Sequence, residues 1–214
     1  MSHLAGLERA ALCDTFAATG PDAPTLCSPW TTRDLAAHLL VRERRPDLAP
    51  GIWVPPLASL AEHGMRRYAA RPWPELVGLV RGGPASWSPA RVAAVDNAVN
   101  LLELFIHHED VLRGDERVGP RREVSEHLSA ALWKSLQRMG KLHFRRSPVG
   151  VVLETPTGRT ADVRAGTGHG SVILRGAPSE LVLVASGRRR VAQVEAVGSD
   201  AAVSALWSAE LGLT

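Results

Sequence analysis

The hydrophobic pattern of this chain changes near residue 145, and that change restricts the folds that are open to it. Before this point apolar residues recur at helical spacing, and after it short apolar runs alternate with turn residues. A chain of 214 residues is long enough for two domains. The sequence therefore predicts an α+β protein with a helical domain over residues 1–144 and a smaller mixed domain over residues 145–214.

Capping and breaking residues mark where the elements begin and end. Thr31, followed three residues later by Asp34, is typical of a capping box, and Pro46 ends the helix that starts there. The strongest apolar repeat at helical spacing ends at Gly114. The predicted helices cover about 4–18, 31–45, 59–70, 73–81, 89–113, 123–140, 178–187 and 200–211, and the predicted strands cover 149–155, 159–164, 171–174 and 191–197.

Composition and charge exclude several classes of function. The net charge is +3, but the basic residues are scattered and are not interleaved with stacking aromatic residues, so no nucleic-acid surface is predicted. No apolar run reaches the roughly 18 residues of a membrane helix, and no signal peptide is recognised, so a cytoplasmic location is expected. Cys13 and Cys27 show no CxxC spacing and are predicted to be small buried hydrophobic residues.

The run Asn100 to Asp110 carries the residues most suited to metal chemistry. Glu103 and His107 are four positions apart, so on a helix they lie on one face, one turn from each other. Asn100 lies on the same face and is predicted, together with Asp110, to orient a ligand. His108 is the competing ligand, although it is rotated by about 100° from His107.

A catalytic zinc takes three protein ligands, so one more is needed. His38 is predicted to be the third ligand, because it lies among apolar and small residues on the helix that follows Trp30. Ligands on facing helices are the usual construction in a bundle. From spacing alone, a buried structural histidine and a surface ion pair between Glu103 and His107 remain open alternatives.

Two segments resemble one known family. Trp30-Thr31-Thr32-Arg33-Asp34-Leu35-Ala36-Ala37-His38 resembles the W-[ST]-x-x-D-L-x-x-H entry of the mycothiol-dependent maleylpyruvate isomerase family, which belongs to the DinB-like bundles. Glu103-x3-His107, with Asp110 three residues further on, looks like the second motif of that family. The resemblance is to a branch that is marked by a His-His-Glu-Asp run, and residues 173–188 are similar to the family's C-terminal domain.

The resemblance implies a DinB-like four-helix N-terminal domain that holds zinc through His38, Glu103 and His107. It also implies a smaller C-terminal α+β domain similar to sterol-carrier proteins, and mycothiol as the thiol that is used. Nickel and iron accept the same ligands. The expected partners are a small-molecule substrate or thiol, with no nucleic acid and no membrane, and the chain is expected to be a monomer or a homodimer.

Three functions are compatible with such a site. The first is a metal-dependent enzyme that uses a low-molecular-weight thiol for transfer to, or isomerisation of, a small electrophilic substrate. The second is a metal-dependent hydrolase, and the third is a non-catalytic metal or small-molecule binding protein. Arg42, Trp53 and Arg188 are predicted to bind the substrate or the thiol, because arginine suits an acidic group and tryptophan can line a pocket.

Overall fold

A computed structural model describes residues 3–114, 121–166, 168 and 170–212. The chain divides into two compact units, Met1–Gly119 and Pro120–Thr214. The first unit is helical and the second is a mixed α+β unit, so the predicted α+β class is confirmed. Within the described residues, no helix is both long and apolar enough to cross a membrane.

The first unit is built from helices that are joined by short turns of 3₁₀ helix. Helix α1 packs against α4, α5 and α6, and helix α2 packs against α3 and α4. Phe16, Leu35, Leu39 and Leu104 are fully or almost fully buried between these helices. The helices of this unit are α1 (Leu4–Thr19), α2 (Thr32–Arg44), α3 (Ala58–Ala69), α4 (Trp73–Arg81), α5 (Ala93–Val99) and α6 (Leu101–Leu112), with 3₁₀ turns at Ala49–Ile52, Pro55–Leu57 and Pro89–Arg91.

The start of α2 confirms the predicted capping box. The backbone N–H of Thr31 donates to Asp34 Oδ2 at 3.0 Å, so the side chain three residues into the helix closes its first turn. The helix predicted over residues 89–113 is instead divided, with α5 ending at Val99 and α6 beginning at Leu101. The division falls at Asn100, whose side chain is engaged by neighbouring polar groups.

In the described part of the second unit, four strands form one sheet in the order β2-β1-β3-β4. Strands β1 and β3 pair in parallel, whereas the two outer pairings are antiparallel. Helix α7 packs against β2 and α8, and Trp133 on α7 is fully buried. The elements are α7 (Glu126–His143), β1 (Gly150–Glu154), β2 (Thr160–Arg164), β3 (Ser171–Arg175), α8 (Pro178–Ala185), β4 (Glu195–Val197) and α9 (Asp200–Ser208).

These contacts place α7 in the second unit, whereas the sequence prediction assigned it to the helical domain that ends at residue 144. Its apolar periodicity resembles that of the helices before it, and periodicity alone does not tell which partner a helix covers. The division between the units therefore precedes α7 instead of following it.

Candidate metal centre

Three side chains from α2 and α6 converge inside the first unit. One potential ligand atom from each of His38, Glu103 and His107 lies within 4.8 Å of the other two. The imidazole centroids of His38 and His107 are 5.1 Å apart, and His107 Nε2 lies 3.6 Å from Glu103 Oε2. Ligand atoms around a tetrahedral zinc with ordinary bond lengths are about 3.4 Å apart. The three side chains that were selected from the sequence are thus close enough to share one ion.

Local helical structure explains this convergence. Glu103 and His107 are separated by four residues of one continuous helix, so their side chains project from adjacent turns. His38 lies on a helix whose Leu35 and Leu39 are also buried, so its ring is turned inward. The His107 side chain is 8% exposed, whereas the Glu103 side chain is 27% exposed, and His38 is buried. Glu103 therefore lies at the more open side of the cluster.

His38 is a buried imidazole whose hydrogen bonding is incomplete. Its Nδ1 is shielded from solvent and has no hydrogen-bond partner among the described residues. The ring packs against Trp30, with centroids 5.0 Å apart. Burial, together with the charge of the neighbouring His107, lowers the pKa of His38 to about 3. Buried polar atoms are normally paired and metal ligation needs a neutral imidazole, so this side chain fits a metal ligand.

The other two side chains of the cluster, Glu103 and His107, form an ion pair. Burial alone would raise the pKa of Glu103, but the hydrogen bond from His107 and the charge of Arg42 lower it to about 2. Burial alone would lower the pKa of His107, but its hydrogen bond with Asp110 and the nearby Cys27 and Glu103 raise the pKa well above its usual value. Both pKa shifts favour an ionised Glu103 beside a protonated His107, so a cation at this place would compete with a proton for the imidazole.

Asp110 and His108 have different roles, although both belong to the same polar run. Asp110 is fully buried, and its Oδ2 lies 2.9 Å from His107 Nδ1. His108 turns toward α1, where its Nδ1 is 2.8 Å from Glu8 Oε1 and its Nε2 is 2.9 Å from Thr15 Oγ1. His107 therefore lies beside Glu103, and His108 is occupied elsewhere.

Asn100 does not contact the three converging side chains directly in the hydrogen bonds described, but it binds Arg42, which lies beside Glu103. Arg42 donates from one terminal nitrogen to Asn100 Oδ1 at 2.5 Å and from the other to the carbonyl oxygen of Val99 at 3.0 Å. Its Nε lies 3.5 Å from Glu103 Oε2. Arg42, which was predicted to bind substrate, thus holds Glu103 in this structure, and its role toward a substrate stays a prediction.

The sequence analysis did not predict a buried cluster of charged side chains, formed by Arg9, Glu43 and Asp96, that Asn100 connects to Arg42. Both Glu43 oxygens accept from Arg9 Nη1, at 2.6 and 2.8 Å, and Arg9 Nη2 lies 3.2 Å from Asp96 Oδ1. Asp96 Oδ1 also accepts from Asn100 Nδ2 at 2.7 Å. Arg9 lies on α1 and Glu43 on α2, so no short sequence pattern could have linked them. Only Asp96 and Asn100, four residues apart, have a spacing from which their contact could have been predicted.

The remaining predicted residues lie in different parts of the chain. Trp53 follows a 3₁₀ turn of the first unit and is 51% exposed. Arg188 belongs to the second unit, where it donates to the carbonyl oxygen of Ser186 at 2.5 Å. Binding of substrate or thiol by either residue stays a prediction.

The two cysteines differ from each other. Cys13 is fully buried, as predicted, and burial raises the pKa of its thiol to about 11. Cys27 is only half-buried, and its Sγ lies 3.1 Å from Asp110 Oδ2. Cys27, His107 and Asp110 form a second group whose potential ligand atoms lie within 4.8 Å of one another. The prediction of a plain hydrophobic role for Cys27 is therefore wrong, because its thiol belongs to a polar cluster.

A search of solved structures relates this architecture to one enzyme. A crystal structure of the mycothiol-dependent maleylpyruvate isomerase matches with a TM-score of 0.55 at 16% identity, covering 90% of each chain. The two proteins share a fold. A histidine-to-alanine mutant of that isomerase matches with a TM-score of 0.53 at 15% identity, again over 90% of both chains. No protein-family profile and no curated protein matches the sequence.

Proposed function

We propose that His38, Glu103 and His107 hold a divalent cation, zinc, in a metal- and thiol-dependent enzyme. The enzyme would use a low-molecular-weight thiol such as mycothiol for transfer to, or isomerisation of, a small electrophilic substrate. The observation that carries the proposal is the convergence of two imidazoles and one carboxylate. One buried nitrogen of these imidazoles, His38 Nδ1, has no hydrogen-bond partner among the described residues. The fold shared with a mycothiol-dependent isomerase supports the choice of thiol.

The donor set fits the proposed metal. Zinc accepts imidazole nitrogen and carboxylate oxygen, and catalytic zinc sites use three such ligands. When bound, the ion would offer an open coordination position that keeps a thiol in its nucleophilic thiolate form. Nickel(II) and iron(II) accept the same ligands, so the native metal is to be identified by elemental analysis of the purified protein.

The chain's own residues orient the ligands. Asp110 accepts a hydrogen bond from His107 Nδ1, which leaves Nε2 directed at Glu103. Arg42, held by Asn100, lies beside the Glu103 carboxylate, and its charge adds to the effect of His107 in lowering the pKa of that group. The ring of Trp30 covers His38 and limits its rotation. Together these contacts prepare the ligands before a metal binds, which reduces the cost of organising them.

Finer features of the fold belong to the same proposal. We take the first unit to be a DinB-like four-helix bundle and the second to be a sterol-carrier-like domain. The support for this is the shared fold, the helical content of the first unit and the mixed sheet of the second. Trp53, which belongs to the same unit as the metal centre, is proposed to contact the substrate or the thiol. A cytoplasmic enzyme that is a monomer or homodimer is the form in which we expect it to act.

Cobalt substitution tests the thiol requirement directly. Cobalt(II) takes the place of zinc and reports thiolate ligation as a charge-transfer absorption. Mycothiol added to the cobalt-loaded wild-type protein is expected to produce this band, and a mycothiol derivative methylated on sulfur is the matched control that should not. Metal-dependent turnover without thiol would instead indicate a hydrolase. If neither a band nor turnover appears, the proposed enzyme is refuted and a binding protein remains.

A further inference from the structure

The site contains two overlapping groups of potential ligands that share His107. One is His38, Glu103 and His107, and the other is Cys27, His107 and Asp110. A cation that used the second group would be bound by a thiolate and would occupy a different place. The contacts of His107 distinguish between these two positions, because its two ring nitrogens face different neighbours.

His107 Nδ1 is already committed to a hydrogen bond. It lies 2.9 Å from Asp110 Oδ2, and an ionised carboxylate can only accept, so Nδ1 carries the proton and donates it. A protonated nitrogen does not bind a metal. His107 Nε2, 3.6 Å from Glu103 Oε2, is the nitrogen that remains for an ion. In known metal sites a carboxylate in this position fixes the ring orientation and increases the basicity of the ligand.

Cys27 completes this arrangement from the other side. Its thiol donates to the same Asp110 Oδ2 at 3.1 Å, so one carboxylate oxygen receives both the thiol and the imidazole. Asp110 is fully buried, and a buried carboxylate needs such donors. The backbone N–H of Leu26 also donates to the carbonyl oxygen of Asp110 at 3.0 Å, which fastens the Cys27 segment to α6.

The same loop contacts both histidines. Cys27 reaches His107 through Asp110, and Trp30, three residues later, packs its ring on His38. The backbone N–H of Trp30 donates to the carbonyl oxygen of Cys27 at 3.0 Å, so the two contacts belong to one turn. The loop before α2 therefore sets the orientation of two of the three proposed ligands.

We propose that Cys27 is a positioning residue, which acts through Asp110 to hold the Nδ1–H of His107, and that its sulfur is not a metal ligand. The proposal rests on the proposed metal site of His38, Glu103 and His107. In this proposal the Cys27 thiol is a hydrogen-bond donor to Asp110. A serine hydroxyl at this position can donate in the same way, whereas alanine cannot.

Zinc competition titrations of Cys27→Ser and Cys27→Ala test this role, with Cys13→Ala as the control for loss of a buried thiol elsewhere. We expect Cys27→Ser and Cys13→Ala to bind zinc like the wild type. Cys27→Ala should bind roughly tenfold more weakly, at the lower end of the effect of outer-shell partners. Equal affinity for Cys27→Ala and wild type would overturn the proposal.

Cobalt-loaded wild-type protein without added thiol provides a second readout. The absence of a thiolate-to-cobalt charge-transfer band is expected, because no sulfur of the chain binds the ion. A band that disappears in Cys27→Ser would make Cys27 a ligand and would overturn the proposal.

A third readout does not depend on metal. In proton NMR of the metal-free protein, we expect a downfield Nδ1 proton of His107, which His107→Gln removes. It should persist in Cys27→Ser and exchange faster in Cys27→Ala. Failure of the wild type to take up metal would refute the proposed function, whereas this signal still tests the positioning role. An Nδ1 proton that is unaffected by Cys27→Ala would contradict that role.

Discussion

Arg9 forms ion pairs with two buried carboxylates and is closer to Glu43 than to Asp96. It contacts Glu43 and Asp96, and the three side chains are no more than 5% exposed. Arg9→Met keeps most of the side-chain volume but leaves Glu43 buried without its cation, whereas Asp96 keeps its contacts with His3 and Asn100. Removal of one partner from a buried ion pair costs about 3–5 kcal/mol. For a chain of this length that corresponds to a decrease of roughly 6–20 °C in melting temperature.

Urea unfolding followed by circular dichroism measures this loss. The matched control is Arg66→Met, because Arg66 lies 3.7 Å from Glu62 on the surface of α3, where an ion pair contributes about 0–1 kcal/mol. Adding Glu43→Leu to Arg9→Met should recover part of the stability, because it removes the buried carboxylate that has lost its cation. A loss for Arg9→Met no larger than that of the control would refute the reasoning.

Three further predictions follow from single residues. In the metal-free protein, stability should fall as the pH decreases from 6.5 toward 3, because unfolded His38 takes up a proton while burial lowers its folded pKa to about 3; His38→Leu should reduce this loss in urea titrations across that range. A methyl group at Gly114 would clash with the carbonyl oxygen of Pro24, so Gly114→Ala should destabilise the fold by about 1–3 kcal/mol, whereas Gly78→Ala, with open space around it, should not. Burial raises the pKa of the Cys13 thiol to about 11, so mass spectrometry should show no alkylation of Cys13 by iodoacetamide at pH 8 until the protein is unfolded.

Patterns over a few residues of the sequence correctly predicted those contacts that form within one helix or at its end. Glu103 and His107 lie on one face because they share a helix, and the capping box at Thr31 and Asp34 has the predicted contact. The inward orientation of His38 followed from its apolar neighbours. The pairing of α2 with α6 was first predicted from the usual construction of bundles and was then favoured by the resemblance, because no local spacing determines which helices face each other.

The parts that were missed depend on contacts between residues distant in sequence. His108 differs from His107 only by its rotation on the helix, and its commitment to Glu8 and Thr15 requires α1 to lie alongside α6. Cys27 gains its polar role from Asp110, which is 83 positions away. The membership of α7 in the second unit likewise depends on its packing partners.

The central claim is that one ion is bound by His38, Glu103 and His107. Zinc titration against a chromophoric chelator tests it most directly, with the wild type compared to His38→Ala, Glu103→Ala and His107→Ala. His63→Ala and Glu62→Ala are matched controls, because both side chains are exposed on α3. The account predicts one tightly bound zinc per chain in the wild type and both controls, and its loss in each ligand variant. Zinc retained at wild-type affinity by the ligand variants would contradict it.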